Sequence, residues 1–458
     1  MTSLRRLALA ASGALALAAA LSPAAASAGW SRLASLTPKG ESAVFPSAAM
    51  TPSGEAVVVW WRAGSRRAPS ALRAAFRPAG GRFGTPQTVG RLDMPAAGNP
   101  PSLPRVSIAP DGTAVAVWTR RDATKRLRVV GAVRSPGGRF GRPVFLSPAK
   151  ADALDPAVAS STGAAVVAWS RGSANPRIQT VRLRGTAFGP VQTIPSQVLP
   201  GNDPGVAVNA SGAAVTSWWA GDGQTTGFAL ASRSTAQGAF ASPAVLSAPG
   251  LLAEQVIPAL DDAGRATVGW IQANGGFGKG AIAGQVAASI GTASSAFGPV
   301  RSLSPGNGSI SASSLGVAAV PRGGAVAAFD PAQANGQPGP SSVRVATIGA
   351  TGRRATATVT TARGSTSLLR PRIAAGPDGT VVVGWERDLA TGGTVSPFDV
   401  AVRPAGARAF SRPVAVSGAR SNTGYNSVAA GTGRAIAAFG TFSRDGQPTG
   451  ISAAIWTR

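Results

Sequence analysis

The chain of 458 residues contains no cysteine and no histidine. Without cysteine there can be no disulfide, no thiol nucleophile and no lipid-modified cysteine anchor. Without histidine there is no Ser-His-Asp triad, no imidazole acid–base chemistry and no histidine-ligated metal. The usual zinc and copper ligands are therefore missing, and neither a metal nor any other cofactor is expected. Tyrosine occurs once, at Tyr425, and acidic residues number only 18. No EF-hand loop, P-loop or GxSxG elbow is present. Among the few carboxylates, Asp261-Asp262 are adjacent, so on a strand they would point to opposite faces and serve turn chemistry rather than an acid–base pair. Past residue 30, no apolar run reaches the roughly 18 residues of a membrane helix. None sustains a 3.6-residue period with helix caps either, so no transmembrane segment is expected.

What is abundant is arginine, glycine and proline. Of 44 basic residues only four are lysines (39, 125, 150 and 279), and the formal net charge is +26. Two readings of this charge stand side by side: attraction to an anionic partner, or a genome-wide arginine bias, since the charges are scattered and no basic block of five occurs. At the N-terminus, Arg5 and Arg6, an apolar Leu7–Leu21 and the small residues Ala26-Ser27-Ala28 have the form of a secretory leader. The expectation is a signal peptide over 1–28, cleavage after Ala28, and a secreted, extracellular protein.

The remainder is repetitive. A glycine is followed six residues later by Trp or Phe in eight copies: Gly54/Trp60, Gly112/Trp118, Gly163/Trp169, Gly212/Trp218, Gly264/Trp270, Gly323/Phe329, Gly379/Trp385 and Gly433/Phe439. Six of the eight glycines fall in Asp-Gly, Ser-Gly or Thr-Gly turns, where a positive φ suits them. The aromatics are expected to pack between repeats. A proline precedes most turns, as at Pro46, Pro104, Pro156, Pro204, Pro258 and Pro371, and a Phe-x-x-Pro or Phe-x-Pro marker, such as Phe140-Gly-Arg-Pro143 or Phe188-Gly-Pro190, follows most of them. Copy six lacks the marker and reads Ala355-Thr-Ala-Thr-Val359 instead.

Each copy supplies four short runs rich in Val, Ile and Thr and bounded by Gly, Pro and Ser; in copy two these are 105–109, 113–119, 126–134 and 143–147. Four strands per repeat predict an all-β, eight-bladed β-propeller over residues 29–458, a single domain. The opening Trp30-Ser-Arg-Leu-Ala-Ser-Leu-Thr37 is similar to Phe410-Ser-Arg-Pro-Val-Ala-Val-Ser417, an outermost strand, while copy eight ends at Ile451–Arg458 without a fourth strand. The N-terminal strand is therefore expected to complete the last blade.

Function in such a fold lies in its loops. Loops after the repeat aromatic share a face with the connectors between blades, and that face collects the candidate binding rim. It holds Arg62, Arg66, Arg67, Arg120, Arg121 and Asp122 from copies one and two, and Arg171, Arg177 and Asp222 from copies three and four. Asp330, Glu386, Asp388, Tyr425 and Asp445 complete it. Trp61 and Trp219 follow the repeat aromatic directly and point to the opposite side of their strands, which makes them candidates for ligand contact. Loops 330–340 and 388–397 are long and glycine-rich.

The repeat resembles those of secreted bacterial β-propeller proteins, loosely sialidase-like or WD40-like, over essentially all of residues 30–458. The resemblance is architectural. Sialidase Asp-boxes place the aromatic three residues beyond the glycine, whereas here the gap is six, and Asp precedes the glycine only at Asp111 and Asp378. The resemblance would imply a Tyr–Glu nucleophile pair, an aspartic acid and an arginine triad, yet the one tyrosine, Tyr425, lies in a different copy from the last glutamate, Glu386. The expected function is accordingly a non-enzymatic, monomeric binding or scaffold protein for a glycan, an anionic envelope polymer or a protein, with no nucleic acid. The alternatives are a sialidase-like, glycan-active enzyme and a basic protein held on an anionic wall.

Overall fold

The computed structural model describes residues 28–458, apart from 65–68, 93–101, 196–198, 223–226, 274–281, 305–308, 311–314, 322–323, 333–340, 350, 365 and 390–394. The expected leader and Arg66 and Arg67 lie outside the described residues.

Alternating turns and apolar runs fold each repeat into an antiparallel sheet. Blade 2, for example, orders its strands as Arg105–Ile108, Ala114–Arg121, Leu127–Arg134 and Val144–Phe145, each paired with the next. Eight such sheets form the ring, and the last contains the N-terminal strands: Gly29–Trp30 and Ala34–Ser35 both pair with Pro448–Thr457. Copy six, which lacks the Phe-x-x-Pro marker, builds its outer strand from Arg354–Thr361, the segment that contains the Thr-Ala alternation. The described turn glycines Gly54, Gly112, Gly163, Gly212, Gly264, Gly379 and Gly433 all have positive φ, between 58° and 92°.

The second strand of each blade is buried along most of its length, as in Ala56-Val-Val-Val-Trp-Trp61, rather than on alternate residues. The reason is that a propeller blade is covered on both faces, as a sheet strand buried on both sides must be. The core is correspondingly split among the clefts between neighbouring blades, and each repeat aromatic fills one cleft. Trp118 packs with Val59 and Leu72 of blade 1, and Trp169 with Val117 of blade 2. Trp218 meets Val166 and Ile178 of blade 3, and Trp270 meets Val215 and Ala229 of blade 4. Phe329 lies with Ile271 and Val286 of blade 5, and Trp385 with Val326 and Val345 of blade 6. Phe439 tilts against Phe398 of blade 7, with ring centroids 5.6 Å apart. Trp60 closes the circle against Ile436 of blade 8. The same contact with the preceding blade therefore recurs eight times. All eight rings are essentially fully buried, at 0–1% exposure, which is the packing role expected of them.

Polar contacts cross the same clefts. Arg134 of blade 2 pairs with Glu55 of blade 1 at 2.8 Å, donates to the Gly112 carbonyl, and lies 3.8 Å over the Phe76 ring. The Asp261-Asp262 pair serves turns: Asp261 Oδ1 accepts from its own loop's Arg265 N–H, and Asp262 Oδ1 accepts from Ala210 N–H of the blade before.

Candidate functional site

The innermost strands carry a shared irregularity. In six blades the pairing between first and second strands slips by one residue, between Val44 and Ser47, Leu154 and Ala157, Asn202 and Gly205, Glu254 and Ile257, Leu369 and Arg372, and Gly424 and Ser427. Each slip is a β-bulge, with two residues opposite one, which re-aims a side chain. The first bulged residue is Phe45, Asp155, Asp203, Gln255, Arg370 or Tyr425, and all six adopt a left-handed φ of 48–57°. Only one other described non-glycine residue, Lys125, has positive φ. Such conformations cost on the order of 1–3 kcal/mol each and gather where a side chain is needed. Four of the six precede a proline, which has no N–H to lose at a break in the ladder.

These residues occupy one repeat position at the connector end of the inner strands, so they ring the mouth of the central channel. Leu103 holds the same place in blade 2. Several contacts tie the ring sideways. Phe45 stacks on Trp61 and meets the Tyr425 ring of blade 8 at 4.1 Å between centroids. Asp155 N–H donates to Ser102 Oγ of blade 2 at 2.8 Å, and Ser102 Oγ in turn donates to Asp155 Oδ1 at 3.3 Å. The Gln255 side chain accepts from Leu315 N–H of blade 6.

A cavity of about 470 Å³ opens inside this ring, lined by Arg105, Arg370, Arg372, Glu386, Tyr425 and Asn426 among others. Arg105 and Arg372 sit two residues past the bulge position, where blades 1 and 8 have Ser47 and Ser427. Those serines are short enough to bond the next blade's backbone, at Val106 N and Ala48 N. Arginine at that register reaches into the lumen instead. Glu386 is 4% exposed; its Oε2 accepts from Arg370 at 2.7 Å and its Oε1 from Asn426 Nδ2 at 3.0 Å. Asn426 is 8% exposed and its Oδ1 has no protein partner. A buried lone acceptor of this kind calls for a donor from solvent or ligand.

The ring is divided by chemistry. Blades 8 and 1 supply the aromatic Tyr425 and Phe45, blades 3 to 5 the carboxylates Asp155, Asp203 and Glu254, and blades 2 and 7 the arginines. Burial, reinforced by the charge of Asp203, pushes Asp155 up to about 6 and Glu254 up to about 7. Asp203 is itself raised by burial, against the pull of Arg105 and Arg372. Burial and then the nearby Arg105 bring Arg372 down to about 10. Asp203 and Arg372 both touch the water of the lumen, with protein closing around them elsewhere, so their environment is a narrow, low-dielectric throat rather than a dry core.

Of the rim residues expected from sequence, Glu386 and Tyr425 meet at this cavity, although they belong to different repeats. The others are spread around the face, tied into their own loops or strand ends. Arg121 donates to the Lys125 carbonyl and Arg177 to that of Leu199. Arg62 donates to Pro69 O, and Arg120 lies 4.7 Å over the Phe145 ring. Asp122 accepts from Thr124 and pairs with Arg128 at 3.1 Å; the Thr124 hydroxyl first, then Arg128, hold its carboxyl down to about 2. Asp330 is buried, pushed up to about 6 by that burial, with Ser341 nearby. Arg171 and Asp388 are half-buried, and Asp222 and Asp445 exposed. None of these five aspartates lines the cavity.

Neither Trp61 nor Trp219 lines the cavity. Trp61 is 4% exposed within the core between blades 1 and 2, and Trp219 is partly buried against blade 5. Pointing to the opposite side of a strand leads only to the neighbouring blade, because both faces of each blade are covered. The repeat aromatics stay out of the site altogether. Trp60, Trp118, Trp169, Trp218, Trp270, Phe329, Trp385 and Phe439 lie on the second strands, one layer back from the lumen, and none of them lines the cavity.

The bulge residues other than Tyr425, together with Arg105, Glu254, Arg372 and Asn426, were not visible as a site in the sequence. The signal that points to four of the bulge residues was present: each stands immediately before the proline that heads its repeat.

No family model and no curated protein matches the sequence. Solved structures similar to it include an ulvan lyase of the PL25 polysaccharide lyases bound to an oligosaccharide (10% identity, 77% of this chain and 93% of that one, TM-score 0.49). A second is the lectin BP39L of Burkholderia pseudomallei (13%, 81% and 99%, TM-score 0.48). A third is an α-L-arabinofuranosidase of Fusarium graminearum (10%, 81% and 97%, TM-score 0.42). The chain is thus an eight-bladed β-propeller with distant likenesses among glycan lyases, glycosidases and a lectin. Its own strand pairing, not these likenesses, defines that class.

Proposed function

We propose that this is a non-enzymatic binding propeller, working outside the cell, that takes an anionic glycan at the mouth of its central channel. One observation carries the reading: Arg105 and Arg372 converge on the cavity, and neither guanidinium makes a hydrogen bond or salt bridge among the described residues, so both are available to a carboxylate or sulfate. Tyr425, 40% exposed, offers a ring for a sugar face beside them, and Asn426 Oδ1 offers an acceptor for a hydroxyl. The leader expected at residues 1–28 supports the extracellular setting.

The juxtaposition of Tyr425 and Glu386 favours a glycosidase as the second reading. Against it, both Glu386 oxygens are already engaged by Arg370 and Asn426, which leaves neither ready to take a proton. Calorimetric titration with trigalacturonate, and with neutral maltotriose as control, tests the proposal. The acidic trisaccharide should bind and the neutral one should not. Replacing both Arg105 and Arg372 by alanine should weaken binding about a hundredfold, as loss of two charge-assisted contacts does. Equal binding of maltotriose would remove the anion site, and release of new reducing ends or unsaturated products on long incubation would make the protein an enzyme.

A further inference from the structure

The arginines share the channel mouth with an opposing group that anion binding does not use. Asp155, Asp203 and Glu254 come from three consecutive blades, 3, 4 and 5. Asp203 is central in space as well as in sequence. Its charge is felt by Asp155 on one side and Glu254 on the other, and it lies in the field of Arg105 from blade 2 and Arg372 from blade 7. The remaining charged or titratable groups at the mouth are Arg370, which touches Arg372's environment, Glu386, held by Arg370, and Tyr425. The left-handed bulge at Asp203 fixes this position: φ is 48°, and Pro204 follows.

We propose, building on the anionic-glycan reading, that Asp203 is the specificity-determining residue of the mouth. With Asp155 and Glu254 it forms a carboxylate arc facing the arginines, and an anion is admitted while the arc carries protons and turned away once it is charged.

Charge counting supports this. With the arc protonated, Arg105, Arg370 and Arg372 face only Glu386, and the mouth is net positive by two. With all three arc carboxylates ionised it is net negative by one. Burial raises all three carboxyls, Asp155 to about 6 and Glu254 to about 7. The composition sharpens the case. The chain has no histidine and no cysteine, so almost nothing with an ordinary pKa titrates between pH 5 and 8. Outside the arc, Asp330 of blade 6 is the other described carboxyl raised to about 6, and it lies at the end of a second strand beside Ser341, away from the inner strands.

The test is the affinity for trigalacturonate between pH 5 and pH 8, where the ligand's own carboxylates stay ionised. The wild-type protein should bind about tenfold or more weakly at pH 8 than at pH 5, the effect of one or more added like charges at close range. Asp203→Asn should bind tightly at both values and lose most of the slope. A pH-independent wild type, or an Asp203→Asn protein that keeps the full slope, overturns the proposal. Should Asp203→Asn fail to fold, Asp155→Asn and Glu254→Gln carry the same comparison, each lowering the slope in part. A separate measurement keeps this inference apart from the binding reading. Carboxyl ¹³C titration of the unliganded protein should show Asp155 and Glu254 with midpoints near 6 to 7, falling in Asp203→Asn. Should no trigalacturonate bind at any pH, the anionic-glycan reading fails; midpoints near the ordinary value of about 4 would sink the carboxylate arc itself.

Discussion

A protein beginning at residue 38 is expected to melt about 10 °C or more below one beginning at residue 29, and to lose its single cooperative transition. The segment removed closes the ring. Gly29 and Trp30 pair with Thr457 and Trp456, and Ala34 and Ser35 with Ala453 and Ser452. Ser31 N–H donates to Ile455 O and Leu36 N–H to Ile451 O, at 2.7 and 2.8 Å. The Ser31 and Thr37 hydroxyls accept from Ile455 N and Ile451 N in return. At about 1 kcal/mol net per hydrogen bond these four contribute about 4 kcal/mol. Leu36, 4% exposed in the cluster between blades 8 and 1, adds roughly 1.5–3 kcal/mol. The sum approaches the whole net stability of a typical domain. Truncation would also bare the edge of Pro448–Thr457, a long strand open to pairing with other chains. Differential scanning calorimetry and light scattering of the two proteins decide the matter. A loss of only a degree or two, with no aggregation, would mean that packing between blades closes the ring without the strand.

This closure was legible in the sequence because it is a matter of counting. An unpaired outer-strand pattern at Trp30–Thr37 and a missing one after Arg458 leave one arrangement that satisfies both edges. The repeat aromatics were legible for a similar reason: a large ring at a fixed distance from a turn has to pack somewhere. The site was less so. Trp61 illustrates the limit, since inside-versus-outside reasoning from strand alternation fails in a fold whose blades are buried on both faces.

The channel mouth was hidden by backbone rather than by composition. Asp155, Asp203 and Arg370 look like ordinary strand residues until the bulge at each turns its side chain out of the pleat. A left-handed φ at a non-glycine residue has no marker in the residue itself. Tyr425 and Glu386 stood in different repeats, with nothing in their spacing to join them; ring geometry places the start of one inner strand beside the end of the preceding blade's second strand. Proline at the head of a repeat was the one sign available, and it marks a break in the hydrogen-bond ladder more directly than it marks an extended segment.

Trp118→Ala should destabilise the protein by about 3–5 kcal/mol, the range for removing a buried aromatic. Trp118 is fully buried, and its Nε1 donates to the Arg91 carbonyl of blade 1 at 3.1 Å. Truncation opens a cavity between blades 1 and 2 and leaves that carbonyl without its donor. The same ring explains why position 90 is glycine. A Cβ there would stand 2.6 Å from Trp118 Cζ2 and 3.1 Å from Pro143 Cγ. Neither a fused ring nor a proline can swing aside, so Gly90→Ala should itself cost about 1–3 kcal/mol by overpacking, although it adds a single methyl group. The two substitutions should not add. With Trp118 truncated, the new methyl enters space the indole has vacated, and Gly90→Ala should become close to neutral, a coupling of the size seen between residues in contact. Urea denaturation of the two single variants and the double variant measures that coupling. If Gly90→Ala is as costly without the indole as with it, strand conformation rather than the tryptophan demands glycine there, and the packing account of the repeat aromatic is wrong at this blade.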